Sequence, residues 1–193
     1  KFDCVQYIPA YNNSNEISSK TGNGNFILYH GNLSVAENIK AARFLINEVF
    51  SKLSFPCKIV GKKLPQSLRN LISNYQHIEL IDSPSDEQLD DLISNAHIHI
   101  LPTFQGTGIK LKLLKSISQG RHCIVNSTMI KETGLESACY IEETGDDMVR
   151  RIEQLISVPF DEQMIELRKQ IWEKQYSNKS STSRIINILN EKS

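Results

Sequence analysis

Two glycines, Gly106 and Gly108, and three lysines, Lys110, Lys112 and Lys115, fall within the stretch IHILPTFQGTGIKLKLLKSISQGRHCIV, residues 98–125. Glycines before a helix let a ligand come close to the backbone, and the unpaired N–H groups of the helix start attract anions, phosphate above all. The chemistry suggested is therefore anion binding. Around these residues an apolar run (Ile98, Ile100, Leu101) stops at Pro102. A helical repeat (Ile109, Leu113, Leu114, Ile117) then ends at Gly120, and a second apolar run begins at Cys123. This reads as strand, glycine loop, helix, strand. A helix starting near Ile109 puts Lys110 in its first turn, where a cation opposes the macrodipole and a bound anion would relieve the conflict. Lys115 is expected on the outer face. The same residues also fit a plain tight turn followed by a solvated amphipathic helix, and at this point both readings stand.

The elements that must position this loop follow the same alternation. Residues 26–30 form an apolar run closed by Gly31, and 35–53 carry a helical repeat. Residues 58–60 form a strand closed by Gly61, with a helix after Pro65. Residues 78–81 form a third strand, followed by a polar loop in which Ser85 can cap a helix over 87–94. After the glycine-loop unit come a short helix over 127–133, a last strand over 138–141, and helices over 148–156, 161–176 and 182–189. Six strands alternating with helices predict an α/β fold with a doubly wound, parallel, Rossmann-like sheet of order 3-2-1-4-5-6, and the C-terminal helices packed outside it.

Composition sets bounds on the rest. The chain has 193 residues, 39% hydrophobic and 23% charged, which suits one domain with an ordinary core. Lys+Arg and Asp+Glu balance at 22 each, so no overall field favours nucleic acid, and any anion site must be local. No apolar run approaches the roughly 20 residues that span a bilayer. Cys4, Cys57, Cys123 and Cys139 show no CxxC or Cys/His cluster, which points to reduced, buried thiols in a cytoplasmic setting and to no zinc. His30, His77, His97, His99 and His122 lack metal spacing on a helix and read as hydrogen-bonded structural histidines.

In an open parallel sheet, ligands bind beyond the carboxyl ends of the strands, where the strand order reverses. The candidate residues are then Gly31 and Asn32 after the first strand, Gly61 and Lys62 after the second, and Ser83 after the third. Gly106, Thr107, Gly108, Ile109, Lys110 and Lys112 follow the fourth. A phosphate between the first and fourth loops would be held from both sides, with the third loop at a distance suited to a base or ribose. Bulk at Gly108 is expected to exclude it. The first strand is followed by YHGNLSVAEN rather than GxGxxG, which disfavours an NAD-binding enzyme.

The succession YHGNLS, KIVGK, SNAHIHILPTF and GTGIKLKLLKSISQGRHCIVN resembles the C-terminal, donor-binding domain of GT-B glycosyltransferases of the retaining group 1 family, with a bacterial mannosyltransferase-like character, over about residues 26–156. The resemblance implies a nucleotide diphosphate sugar, GDP- or UDP-linked, as donor. It implies transfer with retained configuration to a glycan or lipid-linked acceptor, and no metal or other cofactor. It also implies an N-terminal acceptor-binding domain in cis. Residues 1–25 would be the interdomain linker or the end of that preceding domain, and residues 26–193 the donor domain. The fragment alone would be inactive, and the whole protein would work in the cytoplasm at the inner face of the membrane.

This sequence departs from the family pattern at its charged positions. The two glutamates of the family's E-x7-E element correspond to Thr107 and Lys115, and the Arg and Lys that hold the diphosphate correspond to Asn32 and Asn38. Lys110 and Lys112 are the cations available to replace them. The missing carboxylates keep open a second reading, a catalytically inactive interaction or regulatory domain on the same fold. A sugar-nucleotide epimerase is disfavoured because no acid/base group stands out near the glycine loops.

Overall fold

The computed structural model describes residues 16–106 and 110–190. Six parallel strands, β1 (Ile27–His30), β2 (Cys57–Gly61), β3 (Ile78–Asp82), β4 (Ile98–Leu101), β5 (His122–Val125) and β6 (Tyr140–Ile141), form one sheet of order β3-β2-β1-β4-β5-β6. The predicted order and direction are those observed. Among the described residues eight α-helices accompany them: α1 (Ala36–Glu48), α2 (Gln66–Ile72), α3 (Asp86–Asn95), α4 (Leu111–Gln119), α5 (Ser127–Ile130), α6 (Gly145–Leu155), α7 (Glu162–Gln175) and α8 (Asn178–Asn190).

Both faces of the sheet are buried, and β1 shows why. Successive strand residues point to opposite faces, and Ile27 and Tyr29 join the larger core with α1 while Leu28 joins a smaller one with Ile93 of α3. Helix starts follow cap chemistry. Ser85 and Gln88 form a reciprocal capping box at α3, and Thr144 and Asp161 cap α6 and α7. Several extents differ from the sequence reading; helices α6 and α8, for instance, begin earlier, at Gly145 and Asn178. The long first helix ends at Glu48 and continues as a 3-10 turn, Phe50–Lys52. The helix expected over 127–133 stops at Ile130, before Gly134 with φ of 68°. The last strand shrinks to Tyr140–Ile141 because Glu136–Ala138 coil into a 3-10 turn.

Helix α7 is fastened to the sheet by a buried cation. Arg168 is 1% exposed, and its guanidinium donates to the carbonyls of Ile117 (3.2 Å), Gly120 (2.7 Å) and Arg121 (2.6 Å). It also lies 4.6 Å from the Phe160 ring centroid. The carbonyl of Ile117 belongs to the last turn of α4 and that of Gly120 to its C-cap, so the charge complements the negative end of that helix. The segment before β1 is tied to the same region: Ser18 N–H donates to Ser118 O at 2.6 Å, Gly22 and Phe160 exchange backbone bonds, and Gly24 N–H donates to His97 Nδ1 at 3.1 Å. Residues 1–15, most of the stretch read as a linker, lie outside the described residues.

His77, His97, His99 and His122 are hydrogen-bonded structural histidines, as their spacing suggested, with His77 Nε2 2.9 Å from Phe50 O. His97 Nδ1 accepts from Gly24 while its Nε2 donates to Leu155 O at 2.9 Å, which defines a neutral tautomer. His122 donates to Val158 O and His99 to Ile93 O. Burial lowers the pKa of His30, His97, His99 and His122. Each folded value lies below the unfolded one, so the unfolded chain binds more protons as pH falls from about 6.5, and stability is lost in that direction. Urea unfolding is expected to give a midpoint that falls from pH 6.5 to 5, each fully titrating histidine contributing up to about 1.4 kcal/mol per pH unit. An unchanged midpoint between pH 7 and 5 would contradict this account of the core.

Candidate functional site

A crevice of about 370 Å³ opens at the carboxyl ends of β1 and β2, between α3 and α4. That volume falls in the range of ordinary small-molecule sites, about 300–1,000 Å³. His30, Gly31 and Asn32 line it from β1, and Val60, Gly61 and Lys62 from β2. Pro84, Asp86 and Leu89 contribute from the third loop and α3, and Leu111, Lys112 and Lys115 from α4.

The β1 and β2 ends are nested. A Cβ on Gly61 would lie 2.1 Å from the Gly31 carbonyl oxygen, so only glycine lets the loops approach this closely. Asn32 folds its side chain back, accepting from Ser34 N–H at 3.1 Å and Ser34 Oγ at 2.8 Å. Its carbonyl accepts from Asn38 Nδ2 at 2.9 Å. Asn38 in turn offers Oδ1 to the Lys112 ammonium at 3.0 Å, which also stands 5.1 Å from the Tyr29 ring centroid. Lys112 is therefore carried across the crevice to the α1 wall. Burial lowers its pKa to about 8, with Glu37 opposing the shift and Lys110 adding to it.

The other predicted cations sit differently. The helix begins at Leu111, two residues later than read from the sequence, and Lys110 is its N-cap with φ −86° and ψ 47°. Its ammonium donates to Gln105 O at 3.4 Å, and among the described residues it is not part of the crevice wall. Lys115 is not on the outer face. It lines the crevice and pairs with Asp90 of α3 at 2.6 Å, because positions three apart on a helix share a face and α3 packs there.

Among the described residues no atom lies within 4 Å of where a Cβ on Gly106 would be, and its φ is not positive. Ser83 stands outside the lining. It adopts φ of 51° and donates to Asp82 Oδ1 at 2.8 Å, leaving Pro84 and Asp86 to face the crevice. Thr107, Gly108 and Ile109 lie outside the described residues.

Several contributors were not singled out from the sequence. His30 is 4% exposed, with Nε2 2.9 Å from Ser116 Oγ. Burial, aided by Lys112 and Lys115, pushes its pKa down to about 3, so the ring is neutral. Glu37 accepts from Phe104 N–H at 2.5 Å and Thr103 Oγ1 at 3.4 Å, tying the start of the glycine loop to α1. Asn126, 5% exposed, brackets Thr103 from the β5 side, accepting from its N–H at 3.0 Å and donating to its carbonyl at 2.7 Å. Among the described residues no group of three or more His, Cys, Asp or Glu is placed to hold a metal ion, and no helix is long and apolar enough to cross a membrane.

No protein-family model matches the sequence. Over 133 residues the chain is 29% identical to an uncharacterized 44.6 kDa protein in the cps region of Klebsiella pneumoniae, covering 64% of this chain and 34% of that protein. Among solved structures it is similar to a glycosyltransferase from Rickettsia africae ESF-5, with TM-score 0.67 and 15% identity over 88% of this chain and 48% of that one. It is similar also to a mutant of S. aureus TarM in complex with fondaparinux, alpha-GlcNAc-glycerol and UDP, with TM-score 0.69 and 13% identity over 98% of this chain and 40% of that one. AviGT4, a glycosyltransferase involved in avilamycin A biosynthesis, matches with TM-score 0.64 and 16% identity over 96% of this chain and 58% of that one. The fold is that of the C-terminal Rossmann-like domain of GT-B glycosyltransferases. The chain spans less than two thirds of the length of each of these proteins.

Gly61→Ala is expected to force the β1 and β2 ends apart and to cost about 1–3 kcal/mol, the range for overpacking a close contact. A thermal melt of the variant coincident with that of the parent would show that the loops are not nested this tightly.

Proposed function

We propose that this chain is the donor-binding part of a glycosyltransferase, taking a nucleotide diphosphate sugar and delivering the sugar, with retained configuration, to a glycan or lipid-linked acceptor. The observation that carries this reading is the Lys112 ammonium, held inside the crevice by Asn38 at the carboxyl ends of the strands. A half-buried cation with a depressed pKa is costly unless an anion arrives to use it. The crevice runs from that cation past Gly31 and Gly61 toward Pro84 and Leu89, so a diphosphate near Lys112 places its nucleoside over β2 and β3.

The structural relatives support this reading at the level of fold, and UDP is part of the TarM complex. The transfer itself needs an acceptor-binding half in cis, consistent with the larger size of the proteins this chain matches. A hexose, mannose among the candidates, is the proposed sugar, and the cytoplasmic face of a membrane the proposed place of work. The residues present bind and orient rather than carry an acid/base step: Lys112 opposes phosphate charge, and neutral His30 offers a hydrogen-bonding ring beside it.

A panel of UDP, GDP, ADP, TDP and their sugars should raise the melting temperature with at least one diphosphate, since a ligand at 100 times its Kd adds about 2.7 kcal/mol. Binding should weaken about tenfold from pH 7 to pH 9, because Lys112 is charged below about 8 and loses its proton as pH rises through that value. Lys112→Met should bind weakly throughout and lose this pH dependence. Tight, pH-independent binding by the Met variant would remove Lys112 from the site.

A further inference from the structure

Beside the Lys112 end of the crevice stands a half-buried carboxylate that bonds to the backbone rather than to the lysines near it. Glu37 lies in the first turn of α1, next to the Asn38 that holds Lys112. Its Oε1 accepts from Phe104 N–H at 2.5 Å and from Thr103 Oγ1 at 3.4 Å. The lysines bond elsewhere, Lys110 to Gln105 O and Lys112 to Asn38 Oδ1. Even so, the Glu37 charge reaches both, raising the pKa of each against the effect of burial.

A carboxylate in the first turn suits the macrodipole of α1, but that leaves its bond to the loop after β4 unexplained. The donors it takes belong to the carboxyl end of a strand beside the crevice, where an open parallel sheet meets its ligands. A backbone N–H and a hydroxyl with two ammonium groups close by make a place for an anion, and Glu37 is an anion supplied by the chain itself. We propose that Glu37 is a built-in counter-anion, an autoinhibitory contact that competes with the ligand's phosphates for the β4 loop donors and for the charge of Lys110 and Lys112. A ligand then binds only if its phosphates outcompete the carboxylate, which sets a threshold against weakly bound anions. This rests on the reading of the crevice as a diphosphate site and adds a control to it.

Isothermal titration of the full chain and of Glu37→Gln with UDP, GDP and inorganic pyrophosphate tests it. The Gln side chain keeps an oxygen for Phe104 N–H, and the Phe104 ring keeps its contacts with Phe44 at 5.3 Å and the Lys40 ammonium at 4.8 Å, so the loop start stays seated. Glu37→Gln is expected to bind pyrophosphate and at least one nucleotide about fivefold more tightly than the parent at about 50 mM salt, with the gain shrinking at about 500 mM, as a screened like charge requires. A gain of binding cannot come from misfolding, and a purely structural Glu37 predicts a loss. Unchanged or weaker binding by Glu37→Gln, or a gain that salt does not reduce, would overturn the counter-anion and leave the diphosphate site standing. Failure of all three ligands to bind either chain would overturn the reading of the crevice, and this inference with it.

Discussion

The orientation of α4 depends on the Arg168 guanidinium at its far end. A buried cation without a carboxylate partner is tolerated only where acceptors converge on it, and here the Ile117, Gly120 and Arg121 carbonyls do so. The strap before β1 adds a second hold, with Ser18 and Ser19 donating to the last carbonyls of α4. With its C-terminal end fixed against α7, the helix presents its first turns to the crevice at a defined angle. Gly120 shares in this, because a Cβ there would meet His99 Nε2 at 2.1 Å. The chain thus rigidifies the end of the helix remote from the crevice, and Lys112 and Lys115 reach the crevice from a fixed base.

Two cations of the crevice come from α4. Asn32 follows β1 and Asn38 lies in α1, and the Asn38 amide oxygen receives the Lys112 ammonium from the opposite wall. A cation is thus delivered beside the α1 wall from α4. Lys115 also comes from α4, and its partner Asp90 comes from α3. Glu37 completes the arrangement, joining α1 to the glycine loop through Phe104 and Thr103 and holding negative charge near both Lys110 and Lys112.

The fold was legible because its signals are local and periodic. Apolar runs closed by Gly31 and Gly61, helical repeats between them, and Ser85 three residues before Gln88 each specify an element, and right-handed crossovers leave few ways to order the strands. The site was legible only in part. That Gly31, Gly61 and Lys112 meet follows from strand order, but Lys115 could be placed only by knowing which face α3 covers. Ser83 was displaced from the crevice by a left-handed turn at its own backbone, which no spacing rule announces. His30 looked like an ordinary strand residue, and its position at the crevice floor follows from being the last residue of β1.

The central claim, that a nucleotide diphosphate occupies the crevice at the carboxyl edge of β1 and β2, is tested most directly by mapping backbone amide shifts of the ¹⁵N-labelled chain during titration with a nucleoside diphosphate. The account predicts saturable shifts concentrated at Gly31, Asn32, Gly61, Lys62, Leu111 and Lys112. Shifts confined to the opposite edge of the sheet, around His97, His122 and Phe160, or none at millimolar ligand, would contradict it.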